Sequence, residues 1–298
     1  MVMAYMRAEG PMWGRLYALA GGARAAKWQH AGVRSVVGKF HGYTMPLDLA
    51  NWSERLSWCL GRYHDLPIQL ALQVVLRPGD CFVDIGANIG MLALLGHHLV
   101  GVHGRVIACE PNPRLRERIE SLVRTNNLQR LQLVASALGE LPAMAELSEY
   151  AGHTGWGSLA PRGPEGADKT ATWNVPVVRG DDVLAAVPTS QPMVIKIDVE
   201  GFEVPVLRGL QQTLATHRPL VFVEVADAHQ QRAGFSAAAL RGLLERQGYR
   251  GFALGLRRHG LFGRRLQWLP LAADQAAEVD AVFVPSAGPM GERVPLPQ

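Results

Sequence analysis

Short, nearly continuous apolar runs alternate with longer segments whose apolar positions recur every three to four residues, and this rhythm governs the chain from about residue 80 to residue 285. "CFVDIG", "RVIACEP", "LQLVASAL", "MVIKIDVEG" and "LVFVEV" read as strands covered on both faces. Between them, "MLALLGHHLV" is apolar nearly all round, and "RLRERIESLVRTNN" carries a stripe at Leu115, Ile119 and Leu122. "VPVLRGLQQTL" has Pro205 in its first turn, and "AAALRGLLERQG" completes the set of predicted helices. Strands alternating with helices predict an α/β fold, a Rossmann-like and mostly parallel sheet with helices on both faces. "RGFALGL" and "DAVFVP" close that sheet at seven strands.

The flanks follow other patterns. Gly139 to Pro192 breaks the rhythm with short strand-like pieces such as "GWGSLAP" and "TWNVPVV", which predict an inserted hairpin region or flap. Upstream, "VRSVVGKFHGYTMPLD" predicts a hairpin. "NWSERLSWCLGRYHD" predicts a helix capped by Asn51, with Trp52, Leu56 and Cys59 at helical spacing. "LPIQLALQVVL" predicts another helix, stopped by Pro78 and Gly79. Met12 to Ala26 predicts an amphipathic helix that packs on the main domain or on a partner subunit. The division expected is an N-terminal extension and cap at 1–65, the main domain at 66–285 and a disordered tail at 286–298.

Composition adds limits. The net charge is +4, but the arginines are scattered among acids, which argues against a nucleic-acid-binding arm. Cys59, Cys81 and Cys109 form no C-x-x-C pair and read as buried thiols in a reducing compartment. Arg7, Glu9, Pro11 and Arg15 interrupt any signal-peptide core, and no window reaches the roughly 18 apolar residues of a membrane span. The expectation is a cytoplasmic protein without a membrane span, with homo-oligomerisation open.

The chemistry begins at "VDIGANIG", the end of the first main-domain strand, its turn and the start of its helix. Glycine there permits positive φ and close approach of a ligand to the backbone. A dinucleotide site wants G-x-G-x-x-G, and Asn88 stands where backbone must approach a diphosphate. A nucleoside with a positively charged, amino-acid-like tail wants a carboxylate, which Asp84 supplies. Glu110, ending the second strand, can accept both ribose hydroxyl hydrogens in either case. The loop therefore favours S-adenosylmethionine over NAD.

"FVDIGANIG", "ACEPNP", "ASALG", "GDDVL" and "IKIDVEGFEVPVLRGL" occur in the order and spacing of the FkbM family of S-adenosylmethionine-dependent methyltransferases, which the chain resembles from about Leu66 to Pro285. The first motif is common to many methyltransferases; the "KIDVEG" block is more specific. The resemblance implies a class I methyltransferase fold. It also implies that Asp84, Gly86, Asn88 and Gly90 line the methionine end of the cofactor site, that Glu110 holds the ribose with Asn112 beside it, and that Ser136 and Ala137 lie by the adenine. The implied reaction is O-methylation of a hydroxyl on a sugar, glycan or secondary metabolite. The alternatives are N- or carboxyl-methylation on the same fold, an NAD-dependent oxidoreductase, or a non-catalytic nucleoside-binding module.

Three acids at strand ends, Asp198, Glu200 and Glu224, are the catalytic candidates near the transferred methyl. A divalent cation on the same acids is the alternative to a simple base, and no metal ligand set is assigned. Lys196 shares a strand face with Asp198 and reads as a structural ion pair, with Asp198 or Asp182 as its partner. Glu203 reads as a helix-capping acid. His153 in the flap and His229 after the fifth strand are further base candidates, each reading more simply as a loop histidine. "GLRRHGLFGRRL" predicts a basic hairpin with two arginine pairs on adjoining strands. Arg257 and Arg258 there are candidate contacts for an anionic or carrier-linked acceptor.

Overall fold

The computed structural model describes residues 2–150, 157–161, 163, 165–260, 263–272 and 278–296. Strands β1 (Val33–Val37) and β2 (Thr44–Asp48) form the expected hairpin near the N-terminus. Short helices α1 (Val2–Arg7), α2 (Trp13–Leu19) and α3 (Ala25–Trp28) precede it. The single helix expected over Met12 to Ala26 is therefore two pieces, because Gly21 at φ 77° turns the chain between them. Helix α4 (Trp52–Leu60) starts where the Asn51 side chain accepts the Ser53 N–H at 2.9 Å, and ends on left-handed Gly61. Helix α5 (Leu66–Val75) follows.

The main sheet takes its first strands from β3 (Cys81–Ile85), β4 (Arg105–Cys109) and β5 (Leu131–Val134), linked by α6 (Met91–Val100) and α7 (Pro113–Asn126). The third apolar run does not stay in one sheet. It breaks at Ala135–Ser136, and β6 (Ala137–Gly139) joins a second sheet with β7 (Ala143–Tyr150), β8 (Gly157–Ser158) and β9 (Lys169–Arg179). That four-stranded sheet is the inserted hairpin region, followed by the short α8 (Gly180–Leu184).

The chain then returns to the main sheet through β10 (Met193–Ile197), α9 (Glu203–Gly209), α10 (Gln211–Thr216), β11 (Leu220–Val225), α11 (Asp227–Arg232) and α12 (Ala237–Glu245). The helix expected over "VPVLRGLQQTL" is broken between α9 and α10, where Gly209 packs against the Gly139 carbonyl: a Cβ there would lie 1.9 Å from that oxygen. Strands β12 (Tyr249–His259), β13 (Gly263–Pro270) and β14 (Val279–Pro285) complete the sheet in the order β13-β12-β14-β11-β10-β3-β4-β5. Strands β5, β4, β3, β10 and β11 run parallel, and β14 lies antiparallel between β11 and β12. The sheet is the α/β arrangement expected, with an eighth strand, because the second half of the basic hairpin pairs with β12 along its length.

Every residue of β3 and of β10 is buried. Val83, Ile85, Ile195 and Ile197 face one core with α9 and α12, while Phe82, Val194 and Phe222 face the other with α5 and α6. Residues 286–296 of the segment expected to be disordered pack against the domain. Met290 and Val294 are buried in the second core and Arg293 pairs with Asp80, so apolar burial and an ion pair hold a segment rich in Gly, Pro and polar residues. The three cysteines are free and buried. Among the described residues no helix is long and apolar enough to cross a membrane.

Candidate active site

The order of the parallel strands reverses between β3 and β10, and that is where a doubly wound sheet opens a crevice at its carboxyl edge. The β3 chain turns there: the Gly86 and Ala87 N–H groups both donate to the Cys109 carbonyl, at 3.0 and 3.1 Å. Gly86 adopts φ 78° and Asn88 φ 53°. A Cβ on Gly86 would stand 1.9 Å from the Asp198 carbonyl oxygen of the neighbouring strand's extension. The backbone that presses on Gly86 is thus the protein's own, where the sequence suggested a ligand. Gly90 at φ 82° opens α6, and its missing side chain makes room for Leu122, whose methyl would be 3.2 Å from a Cβ.

The crevice is a cavity of about 670 Å³, within the 300–1,000 Å³ of small-molecule sites. Asp84, Gly86, Asn88, Glu110, Asn112, Ser136 and Ala137 line it, as do Asp198, Glu200 and Glu224; Gly90 does not. Arg257 and Arg258 stand away from it on the β12–β13 hairpin, and His153 lies outside the described residues.

One end of the cavity is built from the β3 and β4 strand ends. The Glu110 carboxylate accepts the Asn88 N–H at 2.8 Å and the Asn112 N–H at 2.9 Å. Each oxygen keeps a lone pair for a ligand hydroxyl. Burial pushes its pKa up to about 7 against the pull of those two amides. Asp84 is buried, and neither carboxylate oxygen has a hydrogen-bond partner among the described residues. Burial pushes its pKa up to about 6, with the Lys196 ammonium pulling the other way from 3.6 Å. The Asn88 side-chain Oδ1 and the Asn112 side-chain Nδ2 are likewise buried without partners. Orphaned polar groups, three acceptors and one donor here, are costly unless a ligand pairs with them. The set fits S-adenosylmethionine: Asp84 suits its ammonium, Glu110 its ribose hydroxyls, and the small Ser136 and Ala137 leave room for the base.

Lys196 holds the centre. Its ammonium lies 3.2 Å from Asp198 and donates to the Gly86 carbonyl at 3.1 Å. Burial works against its charge, but Asp198 and Asp84 outweigh it and raise its pKa above the usual lysine value. The second partner is therefore Asp84 and not Asp182. Glu203, fully buried, reaches back to accept the N–H groups of Val199 and Gly201, so it braces the turn after β10.

The opposite wall gathers Glu200, from the turn after β10, with Glu224 and His229, which lie five residues apart across the end of β11. His229 Nδ1 lies 3.0 Å from Glu224 and 3.4 Å from Glu200, with Arg232 3.8 Å from Glu200. The hydrogen bond to Glu224 raises the His229 pKa to about 9 against the effect of burial. Burial, and then the neighbouring carboxylates, raise that of Glu200. His229 is therefore no loose polar histidine. The turn that presents Glu200 is left-handed at φ 54°, and the Ser158 hydroxyl donates to the Glu200 carbonyl at 2.7 Å, so the inserted sheet helps set it. Glu200, Glu224 and His229 also offer ligand atoms within 4.8 Å of one another, a spacing that suits a divalent cation.

Sequence reading missed a second acidic pair. Asp65 and Asp280 line the cavity and hydrogen-bond each other; burial, then the shared site, holds the Asp280 proton well above the usual range. Asp65 sits just before α5 and Asp280 inside β14, and no local pattern joins them. The N-terminal cap also contributes Trp52, Tyr63 and His64. Their rings meet edge-on, His64 at 5.2 Å from Trp52 and 4.4 Å from Tyr63.

Comparison with known proteins identifies the family. The model of the methyltransferase FkbM domain matches residues 84–250, just over half of the chain. The hexuronic acid methyltransferase AglP of Haloferax volcanii is 27% identical over 148 residues, 49% of this chain. The chain spans 56% of that protein's length. Methyltransferase 1 of Beauveria bassiana is 28% identical over 203 residues, 63% of this chain and 79% of its own. Among solved structures, the methyltransferase FkbM of Methylobacillus flagellatus KT aligns with a TM-score of 0.40 at 18% identity, over 91% of this chain and 60% of its own. Residues that the sequence pattern singled out fall inside the matched domain, from Asp84 at its start to the "KIDVEG" turn, and the chain belongs to the FkbM family of S-adenosylmethionine-dependent methyltransferases.

Proposed function

We propose that the protein methylates a hydroxyl group on a sugar or glycan. The observation that carries this reading is the Glu200–Glu224–His229 cluster, which faces the cavity across from Asp84 and Glu110. Methylation of a hydroxyl requires that a proton leave the acceptor oxygen. S-adenosylmethionine, when bound, supplies the activated methyl group. Asp84 and Glu110 orient it by charge-assisted hydrogen bonds. Glu224, held by His229, takes the hydroxyl proton, and burial keeps the carboxyl basic enough to do so: its pKa is raised to about 7. Lys196 and Asp198 fix the floor between the two halves.

Two features support a carbohydrate. The edge-packed rings of Trp52, His64 and Tyr63 give an aromatic wall on which the apolar face of a sugar ring can lie. The hexuronic acid methyltransferase of Haloferax volcanii is among the relatives. The substituent is set by the product. With S-adenosylmethionine labelled in its methyl group and a glycan extract as acceptor pool, label is expected in a fraction stable to mild alkali, as an ether is. Label released by alkali as methanol means a carboxyl ester and contradicts hydroxyl transfer.

A second reading of the same cluster places a divalent cation on its three ligand atoms, lowering the acceptor pKa by direct coordination. The proton-accepting reading expects turnover unchanged after dialysis against EDTA; loss restored by added Mg²⁺ or Mn²⁺ favours the cation.

A further inference from the structure

The β12–β13 hairpin is longer than the sheet it belongs to. β12 pairs with β14 only as far as Ala253, whereas its pairing with β13 runs on to His259 opposite Gly263. Arg257 therefore stands about 13 Å past the last rung shared with the sheet, at about 3.3 Å per residue. β11 and β12 both run antiparallel to β14, so they point the same way and end at one edge. Glu224 and Asp280, which face each other across β11 and β14, line the cavity at that edge. The hairpin is thus an arm projecting beside the cavity mouth, on the side away from Glu110.

The arm is basic in a way that folding does not favour. Arg257 sits directly opposite Arg265, and Arg258 opposite Arg264, so each face of the ribbon carries a cross-strand arginine pair. Like charges opposite one another destabilise a ladder. All four side chains are exposed, and no carboxylate pairs with them among the described residues. The cavity has the opposite charge. Nine carboxyl groups line it, and even with Glu200 and Asp280 left out, whose protons burial holds, the acids outnumber Lys196, Arg232 and His229. An anion is repelled from the interior and attracted to the arm beside it.

We propose that this arm recognises the acceptor: it binds phosphate or carboxylate groups that the acceptor carries outside the unit being methylated, while a neutral, hydroxyl-bearing unit enters the acidic cavity. Arginine forks match both oxyanions bidentately, and two pairs on opposite ribbon faces suit an extended anionic chain better than a single point charge. The inference rests on the methyltransferase reading and names the chemistry of its acceptor.

The test titrates the whole protein with tetragalacturonate, tripolyphosphate and neutral maltotetraose, before and after the fourfold change Arg257→Ala, Arg258→Ala, Arg264→Ala and Arg265→Ala. At least one anionic probe is expected to bind. Its affinity falls at least tenfold in the variant and at least tenfold when NaCl rises from 0.05 to 0.5 M, by screening of exposed charge, roughly the change seen when several phosphate contacts are lost. Tetragalacturonate alone identifies carboxylate and tripolyphosphate alone phosphate. S-adenosylhomocysteine affinity, read on the same samples, is expected to stay unchanged and the melting temperature not to fall, since like charges are removed from the ladder, which keeps this test separate from that of the cofactor site. Equal binding by the variant, salt-independent binding, or no binding of either anion overturns the proposal. So does capture by phosphatidylglycerol vesicles without binding of either anion, which assigns the arm to a membrane surface.

Discussion

Gly86→Ala is expected to lower the melting temperature by roughly 4–20 °C. The added methyl would sit 1.9 Å from the Asp198 carbonyl oxygen and 3.0 Å from its carbon. Both neighbours are backbone, and Asp198 is tied to the β3 strand by its own N–H to the Ile85 carbonyl at 3.1 Å. Relief therefore means separating β3 from β10 at the floor of the cavity. The left-handed φ of 78° adds a strain of about 1–2 kcal/mol for any L side chain. Overpacking adds about 1–3 kcal/mol. Together these give about 2–5 kcal/mol, and each kcal/mol moves the midpoint of a chain this size by about 2–4 °C. Gly90→Ala meets only side chains, Leu122 at 3.2 Å and Ile119 at 3.4 Å, and is expected to cost less. Thermal unfolding of the two variants checks this; a wild-type midpoint for Gly86→Ala contradicts the crossing of the two strand ends.

Glu224→Gln is expected to reduce kcat by about 10²–10³-fold, within the range for loss of a positioned general base, while leaving S-adenosylhomocysteine affinity within about twofold. The amide keeps the shape of the carboxyl group and still offers His229 an acceptor, so the fold is preserved. What it removes is the proton-accepting oxygen. Glu224 lies on β11, across the switch point from Asp84 and Glu110, so the cofactor contacts are untouched. Single-turnover kinetics with labelled cofactor, alongside a melting curve, checks this. Wild-type turnover contradicts the assignment of the proton acceptor, and a parallel loss of cofactor affinity shows that Glu224 acts on binding instead.

Much of the site was legible because parallel strands buried on both faces read as apolar runs, and an acid that ends such a run stands at the ligand edge. Asp84, Glu110 and Glu224 were found that way. What escaped depends on contacts that no local pattern records. Asp65 and Asp280 meet across more than two hundred residues of sequence. His229 looked like a loop residue because Glu200, one of its two carboxylate partners, comes from the turn after a different strand. The break at Ala135–Ser136 lies in an apolar run with no glycine or proline, so nothing marked the change of sheet. Gly86 was legible as a special backbone position, but the pressure on it comes from Asp198. The basic hairpin, by contrast, was readable as two arginine pairs on adjoining strands around a glycine-flanked turn.

The central claim is that Asp84 and Glu110 hold the cationic cofactor, and calorimetric titration with S-adenosylhomocysteine across pH tests it most directly. Burial raises the two pKa values to about 6 and about 7, so both carboxyl groups keep their protons in the free protein at pH 5.5 and lose them by pH 8. A ligand that donates hydrogen bonds to the carboxylates binds their ionised forms. Affinity is therefore expected to rise as pH increases from 5.5 to 8, with protons released on binding between those limits. At pH 8, Asp84→Asn is expected to weaken binding by about 10–100-fold, the loss of one hydrogen bond to a charged group. Binding that is independent of pH, and as tight in folded Asp84→Asn as in the wild type, contradicts the placement of the cofactor.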